Sequence, residues 1–256
     1  MTTASELYDF INSFAPFDSA MDFDNVGIIV GSPETASERV MLALDATPAV
    51  IREAASNGAR ILITHHPIIF RPLKRLSSDH PAYLAAAAGL TVLCAHTNLD
   101  IAAGGVNDLL LRQLGLTPLT ATGDDCCALG LLPNAQPDQS LAVLLRDFLH
   151  CEGLRYTRRN APIRTVAVAC GAGGSSIGYA IRSHADALIT GEIKHHELLL
   201  AEEADIAVFD IGHFTSEKWI VPHLTQLCAE RFPQTQFQEA VSDEHGYQYC
   251  TGKGEA

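Results

Sequence analysis

Basic residues are scarce in this sequence. It has 17 Lys and Arg against 30 Asp and Glu among 256 residues, which gives a formal net charge of −13. Because proteins that coat nucleic acid need many cations to displace the counterions of the phosphates, this balance argues against that class of protein. It leaves room for a local basic patch.

The sequence also has no apolar run long enough to cross a bilayer. The longest one, Leu84–Ala95, is shorter than the roughly 20 residues that a membrane-spanning helix needs, and Gly89 interrupts it. The first residues, MTTASELYDFINSF, lack the basic-then-apolar order of a secretory signal. We therefore expect a cytoplasmic protein with no membrane partner.

Cysteine motifs are missing as well. The seven cysteines are scattered, no Cys-x-x-Cys pair occurs, and the neighbours Cys126 and Cys127 have a poor geometry for bonding each other. This pattern predicts reduced thiols rather than a disulfide framework, which agrees with a cytoplasmic location. It gives no support to a structural zinc site with cysteine ligands.

Apolar runs of strand length alternate with alanine-rich stretches of helical length. The runs hardly alternate between apolar and polar side chains, as expected for strands buried on both faces. The predicted strands are Val40–Leu44, Ile61–Ile63, Thr91–Cys94, Val166–Cys170, Ala187–Ile189 and Ile206–Phe209. The predicted helices between them are Pro48–Asn57, His80–Ala88, Ser176–Ser183 and Glu197–Glu203. This order predicts an α/β fold with mostly parallel sheets.

A comparison of the chain with itself predicts an internal duplication. When the sequence is shifted by 126 residues, Val40–Asp45 falls on Val166–Gly171, and when the second copy is shortened by nine residues, His96–Asp100 falls on His213–Glu217. Apolar strand ends also match by chance, so coincidence is the alternative. A duplication would deliver two His-x3-carboxylate motifs to the carboxyl ends of strands, where open α/β sheets bind their ligands.

The densest functional signal is a pair of neighbouring histidines. His65 and His66 stand at the carboxyl end of the buried strand predicted over Ile61–Ile63, and Pro67 stops that strand from continuing. Neutral imidazole is the commonest metal-binding side chain, and neighbouring side chains on an extended backbone point to opposite sides. One such pair can therefore serve two metal ions. The alternative is a surface turn.

Two further histidines follow predicted strands and have a carboxylate four residues later. His213 and Glu217 share one face if their segment is helical, and so do His96 and Asp100. The alternative is a helix cap, because the Thr, Asn and Ser residues between them are good N-cap residues. Three strand ends that bear histidine, each with a carboxylate close by, together favour a metal site. Mixed His and carboxylate ligands suit Zn, Fe, Mn, Ni or Co.

Four other segments have both a functional and a structural interpretation. Phe23–Gly27 is either a loop that lines the site or a turn into a strand. Gly171–Ser175 can cradle a phosphate, but a tight turn fits it better, because the Gly-x-Gly-x-x-Gly fingerprint and the P-loop lysine are missing. Asp45 is either a carboxylate that supports a metal ligand or a cap, and Lys194–Glu197 is interpreted as the solvated start of a helix.

Several motifs together resemble those of the NIF-three-like family, whose members are also called GTP cyclohydrolase I type 2 homologues. They are Asp24–Gly27, Thr64–Pro67, His96–Asp100, Thr190–Glu192, and Gly212-His213 with Ser216-Glu217. The resemblance to the short bacterial form of the family covers nearly the whole chain. It implies two similar, interlocked α/β domains. With a boundary near residue 125, we expect a first domain over 1–125 plus 205–256 and a second, inserted domain over 126–204.

The resemblance also implies a metal site and an assembly. The site is dinuclear, lies between the domains and holds two divalent ions (Zn, Fe, Mn or Ni). Its ligands correspond here to His65, His66, Asp100, His213 and Glu217. His96 matches His213 in the self-comparison but lies outside this ligand set, so we predict that it transfers protons in catalysis. The implied assembly is a toroidal homohexamer.

Two functions fit these ligands equally well. The first is a metal-dependent hydrolase in which a water of lowered pKa attacks an electrophilic carbon or phosphorus. Its cyclohydrolase version attacks C8 of the guanine ring of GTP and releases formate. The second is a metal-binding or metal-delivery protein, or an interaction module, without turnover.

The charge distribution bears on the partners. Support for a nucleotide substrate is thin, because only Arg71, Lys74, Arg75 and Lys194 lie near the motifs. A role linked to DNA repair would need a hexamer whose hole is lined by Lys and Arg, and the charge of −13 per chain argues against it.

Overall fold

The computed structural model describes residues 1–120, 126–151 and 153–244. The chain divides into two compact units. Among the described residues, the first unit is formed by 1–109 and 218–243, and the second by those between 110 and 217 together with Glu244. Each unit contains one large sheet covered by helices, and the two are described in turn.

The described residues form helices and strands in alternation over most of the chain. The strands are β1 (Thr2–Thr3), β2 (Gly27–Val30), β3 (Ala36–Ser37), β4 (Arg39–Ala43), β5 (Ile61–Thr64), β6 (Thr91–Cys94), β7 (Thr117–Thr120), β8 (Ala128–Gln136), β9 (Arg155–Tyr156), β10 (Ile163–Ala169), β11 (Ala187–Thr190), β12 (Ala207–Asp210) and β13 (Gln236–Glu239). The α-helices are α1 (Ala4–Phe14), α2 (Pro48–Ser56), α3 (Pro81–Ala87), α4 (Thr97–Ile101), α5 (Val106–Gln113), α6 (Asp138–Leu149), α7 (Ile177–Arg182), α8 (His195–Glu203), α9 (His213–Glu217) and α10 (Ile220–Arg231).

The first unit is built on a five-stranded sheet with the order β13-β4-β5-β6-β2. Strands β13, β4, β5 and β6 are parallel, and β2 pairs with β6 in the antiparallel direction. Every side chain of β5 is at most 1% exposed, because the sheet is covered on both faces. This explains why the strand reads as the continuous apolar run Ile61–Ile63.

The second unit is built on a six-stranded sheet with the order β7-β8-β10-β11-β12-β9. The three central strands β10, β11 and β12 are parallel, and β8 and β9 pair with them in the antiparallel direction. One of its core clusters contains Ala167, Ile177, Leu188 and Val208. The prediction of an α/β fold with mostly parallel central strands is confirmed.

Local signals set the ends of the helices. Thr47 accepts a hydrogen bond from the amide of Val50 at the start of α2, and Pro48 occupies the first helical position. Gly58 and Gly89 follow α2 and α3 with φ of +72° and +70°, the left-handed conformation that glycine adopts at little cost. These are the two helix ends that the Asn57-Gly58 and Ala88-Gly89 pairs predict.

The two sheets share part of their pairing pattern. Val40 of β4 pairs with Ile61 of β5, and Val166 of β10 pairs with Ala187 of β11, which preserves the shift of 126 residues. In both sheets an antiparallel edge strand lies beside the last of the parallel strands, β6 in the first sheet and β12 in the second. The internal duplication stays a prediction that this topology is consistent with.

The compact units differ in extent from the domains that we expected. The sequence placed the boundaries at residues 125 and 204, whereas the compact units change at residues 109 and 217. Strand β7 lies in the second unit because it pairs with β8, and β12 lies there because it pairs with β11. Strand pairing between distant segments leaves no mark in local composition.

Within residues 1–120, 126–151 and 153–244, no helix combines the length and the apolar character that crossing a bilayer requires.

Two glycines offer a matched test of how tightly the first unit is packed. Gly31, at the end of β2, has φ of +90°, and a Cβ there would lie 2.7 Å from Cα of Thr91. Gly89 has φ of +70°, but a Cβ there would have no neighbour within 4 Å. We expect Gly89→Ala to cost about 1–2 kcal/mol of unfolding free energy, the usual penalty of a left-handed alanine, and Gly31→Ala to cost clearly more because the backbone of β6 must also move. Urea denaturation of both variants measures the difference, and equal losses would contradict the close approach of β2 to β6.

Candidate metal centre

The histidines of the first unit stand at the carboxyl ends of neighbouring parallel strands. Strand β5 ends at Thr64, directly before His65 and His66, and β6 ends at Cys94, two residues before His96. Because β5 and β6 are parallel neighbours, their carboxyl ends meet at the same edge of the sheet. The structure thus places these histidines directly after the carboxyl ends of buried strands, as the sequence analysis expects.

The backbone around the histidine pair is fixed by hydrogen bonds. The amides of His65 and His66 donate to the carbonyls of Ala43 and Leu44 at 3.2 and 2.9 Å, which continues the pairing of β5 with β4. On the other side, the thiol of Cys94 donates to the carbonyl of His65 at 3.1 Å. The pair is therefore held between two strands rather than carried on a loose turn.

Three imidazoles form a compact group. One ring nitrogen from each of His65, His66 and His96 lies within 4.8 Å of one from each of the others. The ring centroids are 5.0 to 5.5 Å apart. His65 is 3% exposed, and the other two rings are partly buried. At this spacing, the three ring nitrogens can surround one centre.

Each of the two neighbouring histidines has its Nδ1 atom held by an oxygen. The Nδ1–H of His65 donates to the backbone carbonyl of Ala95 at 2.9 Å, and that of His66 donates to the carboxylate of Asp45 at 3.0 Å. Oxygen acceptors of these kinds require the hydrogen on Nδ1, so Nε2 of a neutral ring carries a lone pair. The interpretation of Asp45 as a carboxylate that supports a metal ligand agrees with this contact.

His96 is oriented in the same way by Asp24. Its Nδ1–H donates to the carboxylate of Asp24 at 2.9 Å, and the other oxygen of that carboxylate accepts from the amide and the hydroxyl of Thr97 at 3.0 and 2.5 Å. Burial alone would raise the pKa of the Asp24 carboxyl, but the hydrogen bonds from His96 and Thr97 outweigh it and hold that pKa well below its usual range. Asp24 therefore stays an anion that fixes the imidazole of His96.

Asp100 approaches the group from helix α4. Its carboxylate oxygen lies 3.6 Å from Nε2 of His65, whose side chain is 1% exposed. A lone pair and a carboxylate at this separation repel each other unless a proton or a metal cation lies with them, and charging a buried imidazole is costly. His65 and Asp100 are thus a donor pair that fits a bound cation.

A second carboxylate supports Asp45 from the end of the chain. Asp243 accepts hydrogen bonds from the backbone amides of Leu44 and Asp45 at 2.5 and 3.2 Å. Burial and the nearby charge of Asp45 raise the pKa of the Asp243 carboxyl more than those hydrogen bonds and His66 lower it. Its role is to hold the strand end from which Asp45 reaches His66.

The second unit contains a histidine with a carboxylate on either side. Nδ1 of His213 lies 2.8 Å from Glu192, and Nε2 lies 3.1 Å from Glu217. Both His213 and Glu217 are on α9, so the predicted helical spacing is confirmed. A neutral imidazole has one N–H and can donate to only one of these carboxylates, so this arrangement also favours a cation beside Nε2.

Two glycines leave the space that the side chains of α9 occupy. A Cβ on Gly171 would lie 2.2 Å from Oε1 of Glu217 and 3.2 Å from Nε2 of His213. A Cβ on Gly191 would lie 2.7 Å from both Cα of His213 and Oγ of Ser216. The hydroxyl of Ser216 also accepts from the amide of Gly171 at 2.9 Å. The backbone can approach α9 this closely only because both positions lack a side chain.

The structure decides between the other interpretations. Thr97 contacts Asp24 and Ser216 contacts Gly171, so these residues brace the site rather than cap helices.

The glycine loop after β10 is a tight turn. The amide of Gly174 donates to the carbonyl of Glu192, and a Cβ on Gly174 would meet the carboxylate of Glu197. A carboxylate beside these glycines disfavours phosphate. His195 and His196 at the start of α8 are exposed, as the prediction of a solvated helix start requires, whereas Glu197 is buried and accepts a hydrogen bond from the amide of Lys194.

Two supporting residues had no assigned role in the sequence analysis. Glu192 precedes His213 by 21 residues, and Asp243 is separated from Leu44 by 199 residues. The only available signal for Glu192 was its place in the Thr190–Glu192 motif, and Asp243 offered none. Both act through hydrogen bonds to other segments, which sequence spacing does not reveal.

The histidine groups of each unit have the features of metal ligands. Each consists of imidazoles whose Nδ1 atoms are held by oxygens, together with a carboxylate beside Nε2 of His65 or of His213. Histidine ligands whose second nitrogen donates to a carboxylate or carbonyl are the usual arrangement around zinc and related metals. The described residues therefore include His and Glu groups that can hold a metal ion.

The chain belongs to a known family. The profile of the Duf34/NIF3 (NGG1p interacting factor 3) family matches residues 2–245, which is nearly the whole chain. A relative from Clostridium perfringens named "GTP cyclohydrolase 1 type 2 homolog" is 30% identical over 239 residues, covering 89% of this chain and 91% of the relative. The resemblance stated from the motifs is confirmed.

Solved structures share the fold over nearly the full length. The hypothetical protein SA1388 from Staphylococcus aureus superposes with a TM-score of 0.88 at 21% identity, covering 97% of this chain and 99% of that one. Reduced HcgD from Methanocaldococcus jannaschii superposes with a TM-score of 0.80 at 25% identity, covering 94% and 98%.

Removal of the Asp45 carboxylate should weaken metal binding without unfolding the chain. Asp45→Ala leaves Nδ1 of His66 without this acceptor, and losses of such supporting contacts typically lower metal affinity by about 10- to 100-fold. Asp45→Asn keeps an acceptor oxygen and should lose less. Zinc affinity measured by competition with a chelating dye tests the order, with exposed Asp22→Ala as the control. Equal affinities for Asp45→Ala and the control would contradict the role given to Asp45.

Proposed function

We propose that this protein binds two divalent metal ions and hydrolyses a small molecule, as a relative of the GTP cyclohydrolase 1 type 2 homologues. One observation carries the proposal: at four histidines, Nδ1 is held by an oxygen, and carboxylates lie beside Nε2 of His65 and His213. A protein that uses histidine only for packing has no need for this orientation. The family membership supports the same conclusion.

The ligand set is the one implied by the resemblance: His65, His66, Asp100, His213 and Glu217. Neighbouring side chains such as His65 and His66 can serve different ions, and carboxylates can bridge ions or complete their coordination. Five ligands for two ions leave coordination positions for water and substrate, which is typical of catalytic rather than structural metal sites.

His96 is the proposed acid and base. When bound, the divalent ions would supply a water of lowered pKa and polarise the electrophile. With its hydrogen on Nδ1, His96 presents the lone pair of Nε2 for accepting a proton from the attacking water, and later returns that proton to the leaving group. Asp24 keeps this tautomer and balances the positive charge that the ring gains.

The names of the relatives favour cyclohydrolase chemistry over other hydrolyses. Opening of a purine ring consumes water at a ring carbon and requires proton transfer to a ring nitrogen, which suits a base such as His96 beside a metal-capable group. The scarcity of basic residues argues for a substrate whose charge is met locally rather than by the whole surface.

Metal content should reach two ions per chain and depend on Glu217. Elemental analysis of protein reconstituted with zinc or manganese should give close to two ions, and Glu217→Gln should lower this number while the protein stays folded, because the amide keeps the shape but loses the anionic ligand. Glu203→Gln, at the exposed end of α8, is the control. An unchanged metal content in Glu217→Gln would remove this residue from the ligand set.

Comparing the effects of substitutions at His65 and His96 on metal content and on turnover tests the catalytic assignment. Purified metal-replete protein is screened for turnover of nucleotides and other hydrolysable metabolites. His65→Ala should lose both metal and turnover, whereas His96→Gln should keep its metal and lose about 100-fold or more in turnover, the usual contribution of a general base. His195→Ala, on the exposed start of α8, should behave as wild type.

Two results would count against this function. Activity that survives in His65→Ala would exclude the metal-dependent mechanism. Full metal content without turnover of any compound would favour the alternative of a metal-binding or metal-delivery protein.

We also propose that the chain assembles into the ring-shaped homohexamer that the resemblance implies. Leu199 and Leu200 on α8 are each 46% exposed, and closed symmetric assemblies are a common way to cover such apolar side chains. Light scattering should give a mass near six chains of 27.5 kDa. A concentration-independent monomer would refute the assembly, and an unchanged mass in Leu199→Ser with Leu200→Ser would show that α8 takes no part in it.

A further inference from the structure

The edge strand β9 is only two residues long, yet it is firmly attached to β12. Tyr156 pairs with Phe209, and their rings stack with centroids 5.8 Å apart and an interplanar angle of 6°. The amide of Thr157 donates to the carbonyl of Val208 at 3.0 Å, and the amide of Val208 donates to the hydroxyl of Thr157 at 2.8 Å. These contacts fix Arg155, the first residue of β9, opposite the carboxyl end of β12.

Arg155 forms an ion pair with Asp210, the last residue of β12. Both Nε and Nη2 of the guanidinium donate to Oδ2 of Asp210, the first of them at 3.2 Å. The side chain of Asp210 is 11% exposed, whereas that of Arg155 is 73% exposed. Ion pairs between exposed side chains usually contribute little, but a carboxylate that is largely buried depends on its counterion. Arg155 therefore determines where the Asp210 carboxylate lies.

The other oxygen of Asp210 holds the turn that leads into α9. Oδ1 accepts a hydrogen bond from the amide of Gly212 at 3.3 Å. Gly212 has φ of +87° and directly precedes His213, the first residue of α9. The carbonyl of Gly212 in turn accepts from the amide of Ser216 at 3.0 Å. Asp210 thus fixes the peptide from which the His213 side chain extends.

We propose that Arg155 is a positioning residue of the metal site. By holding Asp210 against the Gly212 amide, it keeps the imidazole of His213 between the two carboxylates that flank it. Both oxygens of Asp210 are engaged, so this carboxylate orients a ligand although it stands only three residues before His213. The inference rests on the proposed function, to which it adds two residues outside the ligand set.

Cobalt(II) binding to the whole chain measures the effect on the ligand, because the visible absorption of this ion depends on its coordination. Arg155→Gln and Asp210→Ala should each weaken one of the two binding steps by about tenfold, the lower end of the losses that follow removal of supporting contacts. The other step should not change, because His65 and His66 belong to the first unit. A general loss of stability would not single out one step.

A double variant tests whether the two residues act as a pair. Arg155→Gln combined with Asp210→Ala should bind cobalt as Asp210→Ala does, because the guanidinium acts only through this carboxylate. Arg155→Lys keeps the positive charge and should lose less affinity than Arg155→Gln. Arg158→Gln is the matched control, since it removes a charge from an exposed position three residues further along the chain. It should bind both ions as the wild type does.

Equal binding of both ions by Arg155→Gln and Arg158→Gln would overturn the proposal, and so would a double variant weaker than Asp210→Ala alone. Failure of the proposed function is recognised separately, by a wild-type protein that binds no cobalt or that binds it without turnover. Crystal structures of the metal-free variants decide the positioning role in either case. Nδ1 of His213 lies 2.8 Å from Glu192, and Arg155→Gln should lengthen this distance. An unchanged distance would contradict the role given to Arg155.

Discussion

A neutral imidazole has one N–H, and the histidine groups of both units depend on where that hydrogen is placed. At His65, His66, His96 and His213 an oxygen lies 2.8–3.0 Å from Nδ1, so the hydrogen belongs on that nitrogen. The lone pair of Nε2 is then presented on the opposite side of each ring, and at His65 and His213 it lies beside a carboxylate. A lone pair and a carboxylate that are buried together, as at His65, are stable only when a proton or a metal cation lies with them. The other residues around each histidine group hold this arrangement.

The fold holds these imidazoles rigidly because they stand at the ends of parallel strands. His65 and His66 continue the pairing of β5 with β4, and Asp45 reaches His66 from the end of β4 itself. In the second unit, Gly171 and Gly191 let the strand ends approach α9 so closely that any side chain there would collide with His213, Ser216 or Glu217. Ligands placed on such elements lose little freedom when they bind a metal, which favours affinity and a fixed coordination geometry.

The surroundings of His96 differ from those of the proposed ligands. Its carboxylate partner Asp24 has a lowered pKa and is fixed by Thr97, while the exposed aromatic ring of Phe70 lies beside it. A metal ligand needs only to have its donor nitrogen oriented toward the ion, whereas a catalytic base must also contact the substrate. The combination of an oriented imidazole and a neighbouring exposed aromatic ring therefore agrees with the proton-transfer role proposed for His96.

The sequence determined the buried central strands, several of the helices between them and the positions of the candidate metal ligands. Buried parallel strands must be apolar on both faces, so runs such as Ile61–Ile63 mark them, and polar side chains directly after them fall at the ligand-binding edge of a sheet. The spacing of His213 and Glu217 likewise required a helix, and α9 provides it. The tertiary structure alone decided which residues orient the imidazoles: Asp24 lies 72 residues from His96, Glu192 lies 21 from His213, and Asp243 lies 199 from Leu44. It also decided that β7 and β12 belong to the second unit. Hydrogen bonds and strand pairing between distant segments depend on how the chain folds back on itself, and a local pattern of residues carries no record of that.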